Sequence, residues 1–442
     1  SVMVLSDCYS WDNEQSGHAR LGDPRRTRRL VSLTSSLAQH AGLSIVKSSQ
    51  STAQVEGAYR LIRNPSVSPQ AIAEAGFTAT VRACEAHPLL LALEDTTTIN
   101  FSHSTASDDL GNTTTNPKTR GLLAHSVLMY APDSALPVGF IEQQRWSRVT
   151  DTYGVKHQRK ERPCEEKESY RWQQASERMA ERLGEIQKRV ITVCDREADI
   201  WHYLHYKVSH GQRFVVRAAQ NRRLEEAPGK LFELPEVLAT AGSHTLNVMQ
   251  KGGRAARQAR MFISYNEVSI KNPDNSGQAL PLTYVCCREQ AEDGACWHLL
   301  TSEKVASAAD ARRIVSHYER RWLIEEYHKA WKSGGTCVES LRMQTRDNLE
   351  RMVVIKAFIA VRMLGLRQEG ISEETQNDSC KKILTPTEWK LLWVKLEGKQ
   401  LPSQTPTLKW ACLKLGRWHD SKRTGRPGWV VMWDGWFRLQ DM

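Results

Sequence analysis

The sequence lacks the short motifs that bind nucleotides and zinc. It has no GxxxxGK[ST] loop and no strand-linked GxGxxG, so neither a nucleoside triphosphate nor a dinucleotide cofactor has a supporting motif. The ten cysteines are scattered and form no CxxC pair, which excludes the paired ligands of a zinc finger or ribbon. We therefore expect reduced, mostly buried thiols in a cytosolic protein.

Long apolar stretches are missing as well. The most apolar stretch, Met352 to Leu366, is interrupted by Lys356 and Arg362, so we expect no membrane-spanning helix and no membrane partner. The segment Ser1 to Trp11 shows no basic region followed by an apolar one, and we expect no secretory signal.

The overall composition is that of a globular protein with several domains. The 442 residues exceed one ordinary domain, and 40% hydrophobic with 25% charged residues excludes a disordered or fibrous chain. The formal net charge of +11 indicates a polyanionic partner only weakly, because many cytosolic enzymes share it. The position of the charge is more informative than its sum.

Much of the positive charge lies in an N-terminal helical segment. Residues 20–63 contain eight basic and two acidic residues. Asp23-Pro24 is typical of a helix start, and apolar residues at helical spacing follow; further helices are predicted over Ala53–Ile62 and Pro69–Glu85. We interpret residues 1–70 as a helical DNA-binding domain, with a solvated charged surface as the alternative. Its candidate phosphate ligands are Arg25, Arg26, Arg29 and Arg60.

The next part of the chain alternates strands and helices, which predicts an α/β catalytic domain over residues 71–369. Strands are predicted at Leu89–Leu93, Gly121–Tyr130, Val138–Arg148, Arg189–Cys194 and Arg213–Arg217. Helices are predicted at 165–188, Asp199–His210, Ala306–Lys332 and Asp347–Leu366.

Two regions interrupt or follow this pattern. Residues from about 220 to 297 show no helical period and predict an all-β insertion. The basic loop within it, which includes Arg254, is either a DNA-backbone contact or an ordinary charged hairpin. Residues 370–442 begin with a polar linker, Gly370–Cys380, and hold seven of the fourteen tryptophans near their end, which predicts a separate, basic C-terminal helical region.

Two aspartates follow predicted buried strands. Asp95 and Asp195 each come directly after such a strand, and ligands bind at that edge of an α/β sheet. Either aspartate alone is better explained as the cap of the next helix. The two aspartates together, with a third acid placed to converge on them, favour a functional site over two separate helix caps.

The third acid is Glu325 on the predicted helix Ala306–Lys332. On a helical wheel, four side chains lie within about 60° of one another: Tyr318, Arg321, Glu325 and Lys332. Lys329 and Trp322 flank this stripe. A core-facing helix would place aliphatic residues there; the alternative is a solvated surface of i,i+4 ion pairs.

Three carboxylates suit two divalent cations. Mg²⁺ prefers oxygen ligands, and two such ions activate the attacking oxygen and stabilise the leaving oxygen of a phosphoryl transfer. Arg321, Lys329 and Lys332 would neutralise phosphate charge. The residues therefore predict a metal-dependent phosphoryl-transfer enzyme that acts on nucleic acid.

The same residues resemble a known family. The chain is similar to the DDE transposases of bacterial insertion sequences, which have a ribonuclease-H-like catalytic fold, and to their cut-and-paste subfamily with a Tyr-Arg-Glu-Lys signature. The matching motifs are Tyr318-x₂-Arg321-x₃-Glu325-x₆-Lys332, Asp195-Arg196-Glu197-Ala198-Asp199, Leu21-Gly22-Asp23-Pro24-Arg25-Arg26 and Glu56-Gly57-Ala58-Tyr59-Arg60.

The resemblance implies a mechanism and roles for residues. Asp95, Asp195 and Glu325 would bind two Mg²⁺, for which Mn²⁺ can substitute. Transposon ends would be nicked, closed into hairpins, reopened and joined to target DNA. Hairpin formation requires a flipped base, and the family assigns its contacts to Tyr318, Arg321, Lys332, Trp297 and Trp322. Aromatic stacking gives the two tryptophans a physical reason; the alternative is core packing.

The resemblance also implies an assembly. The family acts as a homodimer on two double-stranded DNA ends, associated with the bacterial nucleoid in the cytoplasm. It normally continues with another helix beyond the position of Met442, so we expect DNA ends to drive pairing. The rival functions are a structure-specific nuclease of the same fold and a non-catalytic DNA-binding regulator. The retained acids and arginines argue against the regulator.

Overall fold

A computed structural model describes residues 16–17, 19–39, 51–101, 110–113, 119–148, 167–248, 257–334, 336, 338–343, 345–371 and 376–419. The helices are α1 (Pro24–Gln39), α2 (Thr52–Ile62), α3 (Pro69–Cys84), α4 (Tyr170–Leu183), α5 (Trp201–Ser209), α6 (Leu234–Val237), α7 (Ala308–Glu319), α8 (Trp322–Lys329), α9 (Arg346–Ile371), α10 (Pro386–Leu396) and α11 (Leu408–His419). The strands are β1 (Leu90–Asn100), β2 (Gly111–Asn112), β3 (Arg120–Ala131), β4 (Leu136–Trp146), β5 (Val190–Cys194), β6 (Arg213–Arg217), β7 (Gly242–Val248), β8 (Arg257–Ile270), β9 (Leu280–Glu289) and β10 (Cys296–Thr301).

The ten described strands form one mixed sheet. β4, β3 and β1 pair antiparallel, and β1, β5 and β6 pair parallel. This is the expected ribonuclease-H-like arrangement, with helices before and after it, and the predicted fold class is confirmed. The strands of the predicted insertion do not form a second sheet, because β10, β9, β8 and β7 continue the same sheet beyond β6. The short helix α6 in this region was not predicted.

The predicted end of β1 before Asp95 is wrong. The strand continues to Asn100 because β-branched residues after Asp95 keep the antiparallel pairing with β3, as far as Asn100 opposite Gly121. The parallel pairing with β5 stops at Glu94 opposite Cys194. Asp95 therefore lies inside a strand, at the level where one of its two neighbours ends.

The predicted single helix Ala306–Lys332 is also wrong. It is divided at Arg320 and Arg321 into α7 and α8. The amides of these two residues bond three residues back, to His317 O at 3.2 Å and Tyr318 O at 3.0 Å, which is 3₁₀ geometry. A π-helical turn, Ala330–Gly334, follows α8.

Two further predicted bounds differ from the structure. The helix predicted at 165–188 ends at Leu183, where Gly184 adopts φ +54°, a conformation that favours glycine. The polar linker predicted to begin at Gly370 begins later, because α9 continues to Ile371.

The N-terminal and C-terminal helices share a core with the sheet. Leu30 of α1, Val353 of α9 and Leu415 of α11 are buried in one apolar cluster with residues of β1. Arg351 of α9 ties in the segment after α2, since its guanidinium donates to Ile62 O at 2.9 Å and Val67 O at 2.6 Å. The C-terminal region is therefore not separate in packing.

The described helices contain none that is long and apolar enough to cross a membrane. The seven cysteines in the described residues are free thiols, and six of them are buried, as expected.

Candidate metal and nucleic-acid site

Asp95 and Asp195 lie side by side at the carboxyl end of β5. Glu94 and Cys194 are paired across β1 and β5, so the next residue on each chain reaches the same level. Asp195 then begins a 3₁₀ turn, Arg196–Ala198, and accepts a hydrogen bond from the amide of Glu197 at 2.9 Å. Asp195 thus does cap the next turn, as the structural alternative predicted, while its carboxylate also faces Asp95.

This turn brings in an acid that the sequence analysis did not single out. Carboxylate oxygens of Asp95, Asp195 and Glu197 all lie within 4.8 Å of one another, and among the described residues this is the acidic trio that is close enough to share a cation. Glu197 stands in the Asp-Arg-Glu-Ala-Asp motif, two residues after Asp195. The motif therefore contained Glu197, but only the 3₁₀ turn after Asp195 shows that the chain brings Glu197 back to the two aspartates.

Arg321 occupies the space between the acids. Its Nη1 lies 3.9 Å from Asp95 Oδ2 and 4.0 Å from Asp195 Oδ2, while its Nη2 donates to Glu325 Oε1 at 2.7 Å. Glu325 is therefore linked to the two aspartates through Arg321 and is not part of the close acidic trio. Nη1 itself is buried and has no hydrogen-bond partner.

The charge balance of this site is unfavourable for Asp95. Burial and, to a lesser degree, the neighbouring Asp195 together raise the pKa of Asp95 to about 7, against the attraction of Arg321. Burial and Asp195 also raise the pKa of Glu197. One guanidinium does not balance this group of carboxylates.

These residues fit a divalent metal ion. The donors are carboxylate oxygens, which hard cations prefer. The raised pKa of Asp95 indicates that the carboxylates lack positive charge. The unsatisfied Nη1 of Arg321 separately indicates a missing acceptor oxygen. Asp95, Asp195 and Glu197 lie close enough together to hold the ion, and Glu325 is linked to the two aspartates through Arg321.

The other predicted DNA ligands on this side lie around Arg321. The ring of Trp297 packs edge-on against Tyr318, with centroids 4.7 Å apart. Trp297 and Trp322 are half-buried, and Tyr318 is buried. Lys332 donates to Thr97 Oγ1 at 3.2 Å, two residues along β1 from Asp95. Contacts thus place Tyr318, Trp297 and Lys332 near the acids, and Trp322 directly follows Arg321 in the chain.

Lys329 is placed differently. Its side chain is 66% exposed and pairs with Glu326 at 3.1 Å. Lys329 is the last residue of α8, and its described ion pair does not involve Glu325, one turn earlier in the same helix.

A buried polar network supports the strand behind the acids. Glu94 Oε1 lies 2.8 Å from His125 Nε2, and His125 Nδ1 lies 2.8 Å from Thr96 Oγ1; Glu94 and His125 are fully buried. Tyr203 donates to the second Glu94 oxygen at 3.4 Å. Since Glu94 and Thr96 flank Asp95, this network fixes the strand on both sides of it. No motif in the sequence indicates this network, because its members come from three separate segments.

The N-terminal arginines divide into two pairs. Arg25 pairs with Asp23 at 3.2 Å, and the half-buried Arg26 donates to Leu21 O at 2.8 Å, so both are engaged at the start of α1. Arg29 and Arg60 are exposed and line one concavity of about 390 Å³ between α1 and α2, where Arg60 also pairs with Glu56 at 3.7 Å. Arg254 lies outside the described residues.

Two family models match this chain, one over the N-terminal helices and one over the region that contains Asp195 and Glu325. Residues 9–67 match the family model of the transposase DNA-binding domain, and residues 168–362 match that of the transposase DDE domain. The chain carries a transposase DNA-binding domain and a transposase DDE domain. The DDE domain match includes Asp195, Arg321 and Glu325 but not Asp95, and the DNA-binding match includes the four N-terminal arginines.

A solved structure shows a weaker likeness. The chain is similar to the piggyBac transposase in the cryo-EM structure of its synaptic complex with hairpin DNA, with a TM-score of 0.38 and 12% identity, over 95% of this chain and 88% of that one. A similarity of this degree is too low to assign shared function.

Proposed function

We propose that this chain is a DNA transposase that binds transposon ends, cuts them by metal-dependent phosphoryl transfer and joins the freed 3′ ends to target DNA. The observation that carries this proposal is the pairing of Asp95 and Asp195 at one sheet edge, with Arg321 and Glu325 against them. The two transposase domain matches support the substrate class.

The proposed metal ligands are Asp95, Asp195 and Glu325. Two Mg²⁺ ions, for which Mn²⁺ can substitute, would activate the attacking oxygen and stabilise the leaving one when bound. Arg321 would exchange its contact with Glu325 for a DNA phosphate, since a guanidinium matches the geometry of both groups. This exchange frees the Glu325 carboxylate and places a positive charge on the DNA backbone.

The hairpin steps are part of the proposal. Tyr318, Arg321 and Lys332 would hold the phosphate of a flipped nucleotide, Trp297 would stack on its base, and Trp322 would fill the gap. The half-buried state of both tryptophans supports these roles, because each residue remains partly accessible to a base. Lys329, exposed at the rim, would contact an adjacent phosphate.

The proposed DNA-end contacts outside the acids are basic. Arg29 and Arg60 would bind phosphates from the concavity between α1 and α2, with Arg25 and Arg26 at the start of α1 and Arg254 in the basic loop. We further propose a homodimer that bridges two DNA ends in a synaptic complex, on the bacterial nucleoid in the cytoplasm.

The experiment is cleavage of DNA that carries candidate transposon ends, with and without Mg²⁺, resolved on a denaturing gel. We expect nicked and hairpinned ends from the parent protein. Asp195→Asn should bind the ends normally but cut them at least about 100-fold more slowly, because charge stabilisation at the reacting phosphate is lost. Glu185→Gln, an exposed acid at the opposite end of β5, is the matched control.

The outcomes separate the proposed functions. Linear breaks without any hairpin would favour a structure-specific nuclease. Cleavage by Asp195→Asn at the parent rate would show that the metal assignment is wrong.

A further inference from the structure

A second group of metal-binding side chains lies on strands β9 and β10, on residues other than the acids. One ligand atom each from Cys286, Cys296 and His298 lies within 4.8 Å of the other two. Cys296 Sγ is 3.4 Å from His298 Nε2. Cys286 and His298 are direct partners across the two antiparallel strands, and Cys296 lies two residues from His298 on the same face. The group is therefore assembled by strand pairing, with no CxxC spacing in the sequence.

The separations suit a tetrahedral thiophilic cation. With Zn–S near 2.3 Å and Zn–N near 2.0–2.1 Å, a sulfur and a nitrogen on one Zn²⁺ lie about 3.5 Å apart. The described Sγ···Nε2 distance of 3.4 Å is close to this value.

His298 is also held as metal-bound histidines usually are. Its Nδ1 lies 2.6 Å from Tyr284 Oη. In the tautomer with the proton on Nδ1, that proton is donated to the tyrosine oxygen, and the lone pair of Nε2 is free for a metal ion beside the cysteines. The ring of Phe232 stacks on His298 with centroids 4.4 Å apart and fixes its plane. Nearby Arg288 donates to Glu236 at 2.9 Å and to Pro235 O at 3.2 Å, and this pairing offsets its charge.

A disulfide is a poorer explanation for the same group. Cys286 of β9 lies directly opposite His298 of β10, so Cys296 of β10 is the diagonal neighbour of Cys286. Diagonal residues of an antiparallel pair have Cα atoms about 7–8 Å apart, whereas disulfides require about 4.4–6.8 Å. Closing the bond would require the strands to move.

We propose that Cys286, Cys296 and His298 bind one Zn²⁺ ion, with two thiolates and one imidazole as protein ligands and water in the fourth position. Side chains alternate along β10, so the ion would lie on the face opposite Trp297, which stands between two of its ligands. It would fix the strand that presents Trp297 to Tyr318. The proposal does not depend on the proposed function.

The test uses the full chain, loaded with Co²⁺ in the presence of excess Mg²⁺, which competes for the carboxylates. Thiolate ligands give a sulfur-to-cobalt charge-transfer band that carboxylates do not give. We expect about one equivalent of Co²⁺ with this band in the parent protein, and displacement of the band by Zn²⁺. Cys296→Ser, at a half-buried position, should lose the band while its circular dichroism stays that of the parent.

Two further variants make the result specific. Cys287→Ser changes the neighbouring buried thiol, which faces the other side of β9, and should keep the band. Tyr284→Phe removes the hydrogen bond to His298 and should weaken Co²⁺ binding about 10- to 100-fold. A folded parent without the band, a band that survives in Cys296→Ser, or a Cys286–Cys296 disulfide found by peptide mass analysis would overturn the proposal.

Discussion

Asp95 carries an electrostatic cost that Arg321 only partly offsets. Burial and Asp195 oppose ionisation of Asp95, and the guanidinium of Arg321 approaches both aspartates without a hydrogen bond to either. The sequence motifs predicted that Asp95, Asp195, Arg321 and Glu325 belong to one site. The alternative of i,i+4 ion pairs anticipated the contact between Arg321 and Glu325. Neither interpretation predicted that Arg321 would also lie against both aspartates, because that placement depends on the rotamer of a long side chain and on the tight turn at Arg320.

The first prediction concerns the charge on Asp95. With a pKa of about 7 in the folded protein against 3.8 in the unfolded chain, the native state holds the extra proton, so the free energy of unfolding falls as pH rises from about 4 to 7. At pH 8 without metal, Asp95→Asn should therefore raise the free energy of unfolding, by at most about 4 kcal/mol.

Thermal unfolding with and without Mg²⁺ measures the effect. Mg²⁺ should raise the Tm of the parent more than that of Asp95→Asn, because the ion stabilises the ionised carboxylate. Glu185→Gln serves as the exposed control. If Asp95→Asn lowers the Tm in metal-free buffer at pH 8, Asp95 is not electrostatically strained.

A second prediction concerns His317, a buried histidine on α7. Burial lowers its pKa to about 4, and the nearby Arg313 and Arg213 act in the same direction, against the opposing charge of Glu303. The unfolded chain binds this proton near pH 6.5 and the native state only near pH 4, so the free energy of unfolding falls as pH drops between these values. The loss from this residue amounts to at most about 3 kcal/mol.

Urea unfolding at pH 7.5 and pH 5 checks this prediction. His317→Gln should show a smaller drop in the free energy of unfolding between the two pH values than the parent does. His205→Gln, on the exposed surface of α5, should behave as the parent. An equal drop in the parent and His317→Gln would mean that His317 is not held neutral by burial.

The elements around the site were predicted more accurately than their ends. Apolar and β-branched runs located β1, β3, β4, β5 and β6, because a strand buried on both faces leaves a continuous pattern. The end of β1 and the break between α7 and α8 were missed, since neighbouring strands and a local 3₁₀ turn determine them. Glu197 entered the site for the same reason, through the turn that follows β5.

The third prediction concerns α1 and α2, the two helices that present Arg29 and Arg60. Each phosphate contact contributes about 0.9 to the slope of log K against log salt concentration. The double variant Arg29→Ala/Arg60→Ala should therefore bind end DNA more weakly and lower that slope by about 2. Arg26→Ala is a poorer test, because its guanidinium also holds Leu21 O.

Fluorescence anisotropy across a range of salt concentrations measures this slope. Lys188→Ala, which removes an exposed charge at the opposite end of β5, is the control and should keep the parent slope. A double variant with the parent slope would remove the concavity between α1 and α2 from the DNA interface.

The three predicted regions of the molecule share one core, although their order along the chain suggested separate domains. The sequence predicted an N-terminal helical region, an α/β domain and a C-terminal helical region, but not that all three pack on α9. Residues 351–364 of this helix are buried almost without interruption, including Lys356, which donates to Thr336 O at 2.7 Å. A helix surrounded on all sides has no polar face, so its pattern cannot show which elements will cover it.

The last prediction follows from this shared core and concerns the proposed dimer. It addresses which subunit binds a DNA end and which subunit cuts that end. The DNA-binding helices are fixed to the catalytic sheet through α9, and therefore cannot swing freely to deliver a bound end to the acids of the same chain. If each subunit cuts the end that its partner binds, two defective variants should complement one another. Asp195→Asn binds ends without cutting them, and Arg29→Ala/Arg60→Ala retains its acids but binds weakly.

We expect neither variant alone to cut efficiently. An equimolar mixture with random pairing should recover cleavage of about a quarter of the ends, because half of the pairs are mixed and only one end of each mixed pair meets both a binding and a cutting subunit. Light scattering should show two subunits with two DNA ends. A mixture that cuts no better than the arginine variant alone would mean that each subunit cuts the end it binds, and the rigid attachment through α9 would then have to place the bound end over its own Asp95 and Asp195.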